Sequence, residues 1–344
     1  MRKETWVMKI DVIIEPESSP DEITELGALA ESYDLRALWT PSHSSARDPF
    51  MALSELARTS SKIRLGTIAL SPFEVHPLKI AHSLFTLNEF SNGRACIVVG
   101  VGGGALTAAG LKPKRRVRAL QECVEILKRA ATDDVLKYEG EIYRVNNYQP
   151  FPWTMPAAPI IYVGGSKDQL VRMSARVADG VMFSDITLAL LDSRMRLIEE
   201  GLASKGRTKE DFRISNLIAW HVKDNKDEAI KEAREKMWVR GMVERWYISP
   251  FLNDKDCDLV ESHMGSFINA FTGKTHVIEG VPERILEALV DNLTLTGDPS
   301  GLDEIVDRIK KFRDGGVTEL ALRLYRDPAT SIKMIGERVL PALD

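Results

Sequence analysis

Short runs of apolar residues alternate with amphipathic helical patterns along most of the chain. The runs have the length of buried strands, and each is followed by a segment whose apolar residues recur at helical spacing. The predicted strands are Val7–Ile14, Leu35–Thr40, Ile63–Leu70, Ala95–Val101, Pro159–Gly164, Gly180–Phe183, Arg213–Val222 and Glu319–Leu324. Eight strand–helix units in this order predict an α/β fold, a parallel (β/α)8 TIM barrel.

The predicted helices have local start signals. The stretch Ser19-Pro20-Asp21-Glu22 offers an N-cap serine, a proline at the first helical position and a capping-box glutamate. Asp48-Pro49 and His76-Pro77 open two later helices.

Two segments break the alternation of predicted strands and helices. Residues 133–158 predict a hairpin and an irregular loop, and residues 245–300 an insertion, partly helical and partly loop. We therefore expect a single domain over residues 1–344 with two insertions.

Composition and charge narrow the class of protein. Hydrophobic residues make up 44% and charged residues 28%, enough apolar content for a large core. Lys and Arg number 46 against 50 acids, and no basic block stands out, which argues against a nucleic-acid partner. Cys96, Cys123 and Cys257 are scattered and predict reduced thiols in a cytoplasmic protein. The longest uncharged stretch, Ala95–Leu111, is shorter than the ~20 residues that span a bilayer, so no membrane partner is expected.

A glycine-rich loop follows the fourth predicted strand. Gly100, Gly102 and Ala105 match a dinucleotide-binding fingerprint, but the acidic residue expected about 20 positions later would fall in the helical segment "ALQECVEILKRA". The context therefore excludes a Rossmann fold. We place Gly100–Gly104 at the carboxyl end of a barrel strand, where barrel active sites assemble and glycines leave room for a flat ring. A tight turn without a ligand is the alternative.

Other polar and glycine positions fall at the same face. Gly164 and Gly165 precede Ser166, which is predicted to cap a helix whose free N–H groups could cradle a phosphate, and Ser184 could add a hydroxyl donor. Ordinary helix capping is the alternative for each. His43 follows the second strand and is a candidate catalytic residue.

The first and seventh strands add further candidates. Asp11 and Glu15 share one face of the first strand, with Asp11 predicted to be buried and Glu15 a candidate proton donor. For Trp220, packing against a helix is favoured. The sequence has no HExxH motif, so nothing in it indicates a metal site. It has no GxSxG or P-loop motif either, which argues against hydrolase and kinase functions.

Three ordered motifs resemble a known family. They are "LGTIALSPFEVHPLKIAHSLFTLNEFSNGR", "PIIYVGGSKDQLVRMSARVADGVMFS" and "IVDRIKKFRDGGVTELALRLY". Together they resemble the bacterial-luciferase-like superfamily over nearly the whole chain. The chain looks most similar to the coenzyme F420-dependent branch, which includes 5,10-methylenetetrahydromethanopterin reductases. The FMN-using monooxygenases are the neighbouring branch.

The resemblance implies site residues and a cofactor. The coenzyme ring would lie across the mouth of the barrel, propped by a non-prolyl cis peptide between Ile68 and Ala69. Gly164, Gly165 and Ser184 match positions that hold the cofactor phosphate, and His43 matches a position that contacts the ring. Ser42, Gly102, Gly103 and Ser166, at the same strand ends, complete the predicted cofactor site. The resemblance also implies a homodimer.

The chain departs from the family at three positions. Ser42 and Gly103 stand where deazaflavin members commonly carry acids. Ile13 stands where reductases have a suspected proton donor, with Glu15 two residues on. The resemblance as a whole implies hydride transfer between coenzyme F420 and a small organic substrate, with methylenetetrahydromethanopterin or a related pterin or imine as the candidate. An FMN-dependent two-component monooxygenase and a non-catalytic flavin-binding paralogue are the alternatives.

Overall fold

Eight parallel strands close into a ring at the centre of the molecule. The structure is a computed structural model that describes residues 8–43 and 45–343, so Val7, the first residue of a predicted strand, lies outside it. The strands are β1 Lys9–Ile14, β2 Ala37–Pro41, β3 Arg64–Leu70, β4 Ala95–Val99, β5 Leu136–Glu139, β6 Arg144–Tyr148, β7 Ile160–Gly164, β8 Gly180–Ser184, β9 Arg213–Val222, β10 Thr294–Gly297 and β11 Glu319–Leu324. The ring runs β1-β2-β3-β4-β7-β8-β9-β11 and back to β1. These are the eight strands predicted, and the (β/α)8 barrel is confirmed.

Helices surround the ring and fill the connections. The longer ones are α1 Pro20–Ser32, α4 Pro77–Phe90, α6 Arg116–Thr132, α7 Asp168–Val177, α8 Leu188–Ala203, α9 Lys226–Glu235, α11 Asp254–Ser262, α12 Met264–Thr272, α13 Glu283–Leu293 and α14 Leu302–Asp314. The shorter ones are α2 Pro49–Ala52, α3 Ser54–Thr59, α5 Gly104–Ala108, α10 Arg245–Ile248, α15 Pro328–Met334 and α16 Leu340–Leu343, with a π-helical turn at Ile335–Val339. None of the helices within residues 8–43 and 45–343 has the length and hydropathy of a membrane span.

The predicted helix starts are confirmed by their hydrogen bonds. The Ser19 hydroxyl accepts from the N–H of Glu22, whose carboxylate accepts from the Ser19 N–H, which completes the capping box. The Asp48 carboxylate accepts from the N–H groups of Phe50 and Met51. The His76 ring likewise caps the first turn of α4. Local sequence therefore fixes where these helices begin.

The two segments that break the rhythm are structured differently from each other. Strands β5 and β6 form the antiparallel hairpin predicted within residues 133–158. Residues 245–300 contain four helices, as expected in part, but also β10, a strand that the sequence pattern did not predict. It pairs in parallel with Ala219–Val222 of β9, beyond the point where β8 stops pairing at Leu217. The insertion thus extends the sheet outside the ring.

A buried ionic network closes the amino-terminal end of the barrel. Asp11 is fully buried, as predicted, and accepts from the guanidinium of Arg36, including a 2.8 Å bond from Nε, and from the Trp39 indole at 2.9 Å. Arg36 also pairs with Glu319 at 2.8 Å, and the Tyr162 hydroxyl donates to Glu319 at 2.8 Å. These bonds satisfy charges that burial would otherwise leave unpaired. The network fills the bottom of the ring, so a ligand must enter from the carboxyl ends.

Candidate active site at the carboxyl ends of the strands

Small residues line one side of the barrel mouth. The peptide bond between Ile68 and Ala69 is cis, at a register shift in β3, as the resemblance implies. A Cβ atom on Gly100 would lie 3.0 Å from the Ala69 Cβ, and one on Gly164 would lie 3.9 Å from it and 2.9 Å from Val98 Cγ1. We call Ala69, Gly100, Gly102 and Gly164 the glycine half of the mouth. It offers a surface with almost no projecting side chains.

The glycine loop after β4 turns sharply out of the barrel. Gly102 has a φ of +81°, a backbone conformation that favours glycine. A Cβ at this position would also lie 2.3 Å from Leu106 Cδ1, so a larger residue would collide with that side chain. Gly103 is exposed, with open space around the position of its missing Cβ. Because this loop belongs to a closed barrel, the exclusion of a Rossmann fold is confirmed.

His43 lies beside the cis peptide bond. The N–H of Ser42 donates to the carbonyl oxygen of Ile68 at 2.6 Å, which fixes the end of β2 against the bulge in β3. The His43 side chain is exposed, and its Nδ1 lies 3.1 Å from the Ser45 hydroxyl. The geometry therefore brings the predicted residues Ser42, His43, Ile68 and Ala69 together at one edge of the mouth.

The loop after β7 differs from the prediction in one respect. Helix α7 begins at Asp168 with Lys167 as its N-cap, so the prediction that Ser166 caps this helix is wrong. The Ser166 hydroxyl instead accepts from the N–H of Ser184 at 3.2 Å, which ties two strand ends together. Gly165 has a φ of +148°, which favours glycine. The backbone N–H groups of residues 166–170 donate no hydrogen bond to any described residue.

The Ser184 hydroxyl is already hydrogen-bonded within the protein, so it is not the phosphate donor that the sequence predicts. Its hydroxyl donates to the Asp185 carboxylate at 2.9 Å, so its single proton is already committed and is not a free donor for a phosphate. Its carbonyl oxygen accepts from the Tyr247 hydroxyl at 2.7 Å. Ser184 therefore links the loop after β7 to the segment that follows α9.

Charged and aromatic side chains line the opposite side of the mouth. Arg323 donates through Nε to Glu15 Oε1 at 2.7 Å, and its Cζ lies 5.6 Å from the centre of the Tyr325 ring. Arg240 donates to Asp185 at 2.9 Å and to the Tyr325 hydroxyl at 2.9 Å. We call Glu15, Asp185, Arg240, Arg323 and Tyr325 the charged half. In this structure Glu15 is a hydrogen-bond acceptor.

Asp185 and Arg240 form a buried ion pair between the barrel and the segment after α9. Both side chains are buried, and the N–H of Gly241 adds a 3.3 Å bond to the same carboxylate. Burial raises the pKa of Asp185 above its ordinary value, while Arg240 and the Ser184 hydroxyl act in the opposite direction. The pair anchors residues 240–241 over the end of β8.

A second buried pair supports the charged half from behind. His221 is 0% exposed, and its Nδ1 lies 2.8 Å from Glu232 on α9. Its ring stacks on Tyr325 with centroids 5.0 Å apart and an angle of 5°. Burial lowers the pKa of His221, although Glu232 acts to raise it. Trp220 is buried among the hydrophobic residues outside the ring, as predicted.

Sequence reasoning missed most of the charged half. Arg323 and Tyr325 could have been found from strand parity, because they lie two and four residues after the buried interior residue Ala321: Arg323 is on the same face of β11, and Tyr325 directly follows the strand. Arg240 has no local signal, since it comes from an irregular segment far from both of its partners. Within the described residues, no group of three or more His, Cys, Asp or Glu side chains is arranged to hold a metal.

Comparisons with known proteins place the chain in a family. The family model described as luciferase-like monooxygenase matches residues 7–319. The 5,10-methylenetetrahydromethanopterin reductase of Archaeoglobus fulgidus is 26% identical over 98% of this chain and 100% of its own length. The F420-dependent glucose-6-phosphate dehydrogenase of Nakamurella multipartita is 25% identical over 94% of this chain and 93% of its own.

A solved structure has the same fold. The coenzyme F420 dependent tetrahydromethanopterin reductase from Methanopyrus kandleri superimposes with a TM-score of 0.82 at 20% identity, covering 98% of this chain and 99% of that one. The match extends over the whole barrel and its insertions. The chain belongs to the luciferase-like monooxygenase family.

Proposed function

We propose that the protein is a coenzyme F420-dependent oxidoreductase that transfers a hydride between the deazaflavin and a small organic substrate. Two relatives that align over more than nine tenths of the chain are named for this cofactor or for a reductase of this branch. The observation that carries the proposal is the glycine half of the mouth, where three strand ends meet without projecting side chains.

The residues present fit a flat ring. Side chains at Gly100 or Gly164 would fill the space in front of Ala69, so the surface stays flat only because both positions are glycine. The ring would rest on the bulge at Ile68 and Ala69, with Gly102 and Gly103 at its rim. Ser42 and His43 would contact its edge from the neighbouring strand.

The start of α7 fits an anionic tail. Five successive N–H groups, from residue 166 to residue 170, are free of partners among the described residues, and helix starts carry a partial positive charge. Gly164 and Gly165 let a phosphate approach this backbone closely. Ser166 and Ser184 would shape the site through the bond between them. This supports a phosphate cradle that uses backbone donors.

The chain's own residues would orient the reactants and handle a proton. When bound, reduced F420 supplies the hydride. His43, exposed at the mouth, would hold the ring edge or accept a proton, and Glu15 would move a proton through Oε2, the oxygen that Arg323 leaves free. The candidate substrate is methylenetetrahydromethanopterin or a related pterin or imine, which the reductase relative supports.

The family's own description as monooxygenases favours one second candidate. An FMN-dependent monooxygenase would use the same glycine half for an isoalloxazine ring and would consume O2.

We also propose a single domain, a cytoplasmic location and a homodimer. Met51 on α2 and Phe90 at the end of α4 are exposed apolar side chains that a dimer interface would cover.

The experiment is turnover with each reduced cofactor. Reduced F420 should be oxidised in the presence of a pterin or imine substrate, and the Ser42→Ala/His43→Ala double variant should abolish this turnover while leaving the melting temperature unchanged. Unchanged turnover would remove the roles assigned to these two residues. Oxygen consumption with reduced FMN, and none with F420, would favour the monooxygenase instead. Tight binding of either cofactor without turnover would indicate a non-catalytic paralogue.

A further inference from the structure

Arg323 presents unused donors to the barrel mouth. Its Nε is bonded to Glu15, but its Nη1 and Nη2 donate no hydrogen bond to any residue that the structure describes. The side chain is 22% exposed although it projects from β11, one of the eight strands of the closed ring. A guanidinium with a free planar fork is suited to binding two acceptor positions, or one acceptor held at a fixed angle.

The fork is held in place from two sides. Glu15 fixes the Nε edge, and the Tyr325 ring lies under the guanidinium. Tyr325 itself cannot move freely, because His221 stacks on its face and Arg240 donates to its hydroxyl. Arg323 is therefore oriented before any ligand arrives, which lowers the entropy cost of binding.

This pair faces the glycine half across the mouth. In the ring of eight strands, β11 is four places from β4 in either direction, and β1 is four places from β7. Arg323 and Glu15 thus lie opposite Gly100 and Gly164. A molecule placed between a ring on the glycine half and the far wall would meet this pair.

Glu15 adds an acceptor beside the donors. Its Oε1 accepts from Arg323, whereas its Oε2 has no partner among the described residues, and the side chain is 23% exposed. The charges of Glu15 and Asp185 balance those of Arg323 and Arg240 in the charged half. Lys236, which lies 5.5 Å from the centre of the Tyr325 ring, is paired with Glu235, so the positive charges near the Arg323 fork each have an acidic partner and give no excess of positive charge to attract an anion.

We propose that Glu15 and Arg323 bind the lactam edge of a heteroaromatic substrate, an N–H beside a C=O. The N–H donates to Glu15 Oε2 and the carbonyl oxygen accepts from the Arg323 fork; with Oε2 engaged in this way, Glu15 positions the substrate and the proton transfer considered above falls to His43. The inference rests on the proposed function only for the position of the redox ring; the lactam contact depends on the charged half alone. It narrows the substrate class to rings with a pyrimidinone-type edge.

The test compares two probes by calorimetry, with and without F420. Pterin carries the lactam edge, and 2-amino-4-methoxypteridine lacks the ring N–H and the carbonyl. We expect pterin to bind at least about tenfold more tightly, as one well-formed two-point contact discriminates. Glu15→Gln and Arg323→Lys should bring this ratio close to one. Arg326→Lys is the matched control, because Arg326 points outward to Glu235 and should keep the ratio.

Three results would overturn the proposed lactam contact. Equal binding of the two probes to the unmodified protein would overturn the inference, as would tighter binding of benzoate, which would indicate an anion site. A loss of F420 affinity in both variants with an unchanged pterin ratio would assign the pair to the cofactor and also overturn it. If Arg323→Lys does not fold, Glu15→Gln still tests the contact. If the unmodified protein fails to bind F420, the proposed function is wrong. The ratio of the affinities for the two probes, measured without cofactor, would still test the lactam contact.

Discussion

Gly100 and Ala69 meet at the ends of two neighbouring strands, where a Cβ on Gly100 would lie 3.0 Å from the Ala69 Cβ. The contact leaves no room for a side chain on the inner surface of the mouth. It joins the end of β4 to the cis peptide bond in β3, and the N–H of Gly100 reinforces it by donating to Leu70 at 2.9 Å. The relationship makes the glycine half flat.

A valine at position 100 should block the ring. We expect Gly100→Val to weaken F420 binding by at least about tenfold, because its methyl groups would occupy the ring's place and collide with Ala69. Fluorescence titration measures this. Gly265→Ala is the control, since Gly265 lies in α12 with nothing within 4 Å of the added methyl. Unaltered affinity in a folded Gly100→Val protein would place the ring elsewhere.

Removing Arg240 should weaken both the fold and the site. Arg240→Met leaves the Asp185 carboxylate buried without its partner, so the free energy of unfolding should fall by about 3–5 kcal/mol. Urea denaturation measures the loss. F420 affinity should also fall, because Asp185 holds the Ser184 hydroxyl. Lys62→Met, which breaks the exposed pair with Asp34, should change stability by about 0–1 kcal/mol; a similar loss in both variants would contradict this explanation.

The network at the bottom of the barrel should affect stability alone. Arg36→Met leaves Asp11 and Glu319 short of a buried partner and should cost about 3–5 kcal/mol of unfolding free energy. Because this network lies at the end of the barrel away from the mouth, the F420 dissociation constant should stay the same once the variant is folded. A large change in cofactor affinity would show that the two ends are coupled.

Protonation of His221 should destabilise the protein in mild acid. Its folded pKa lies below the ordinary value of 6.5 because the ring is buried, with Arg240 and Lys223 adding to the effect and Glu232 opposing it; the Tyr325 ring faces it as well. The unfolded chain therefore binds a proton that the folded chain does not. Stability is full above pH 6.5 and falls as the pH drops, with a slope of up to about 1.4 kcal/mol per pH unit.

Unfolding curves between pH 5 and pH 7.5 measure this dependence. His221→Gln should flatten the profile in that window, since the glutamine amide does not titrate. The pKa of Glu232 is lowered below its ordinary 4.5, so this carboxylate titrates outside the window. An identical slope in the variant and the unmodified protein would assign the acid sensitivity to another group.

The barrel was predictable because each strand is a local pattern. A buried parallel strand needs only a short apolar run, and the caps at Ser19, Asp48 and His76 mark helix starts within a few residues. Strand β10 was missed because four residues in "TLTG" carry no periodicity, and its pairing depends on the extra length of β9.

The candidate site was only half predictable. The glycine half lies in short motifs, so sequence alone indicated it. The charged half depends on contacts between distant residues, such as Arg240 with Asp185 and Tyr325, which no local spacing encodes. Ser166 shows the same limit: the sequence predicts that it caps α7, but its hydroxyl accepts from the N–H of Ser184, a residue 18 positions further along the chain.

Cofactor choice tests the central claim most directly. The purified protein is titrated separately with F420 and with FMN, and each dissociation constant is measured by fluorescence under the same conditions. The glycine half and the free N–H groups at the start of α7 predict that a cofactor with a flat ring and a phosphate binds, and the similarity to F420-dependent relatives predicts that F420 binds more tightly than FMN. Tighter binding of FMN, or no binding of either, would contradict the assignment of this barrel to deazaflavin chemistry.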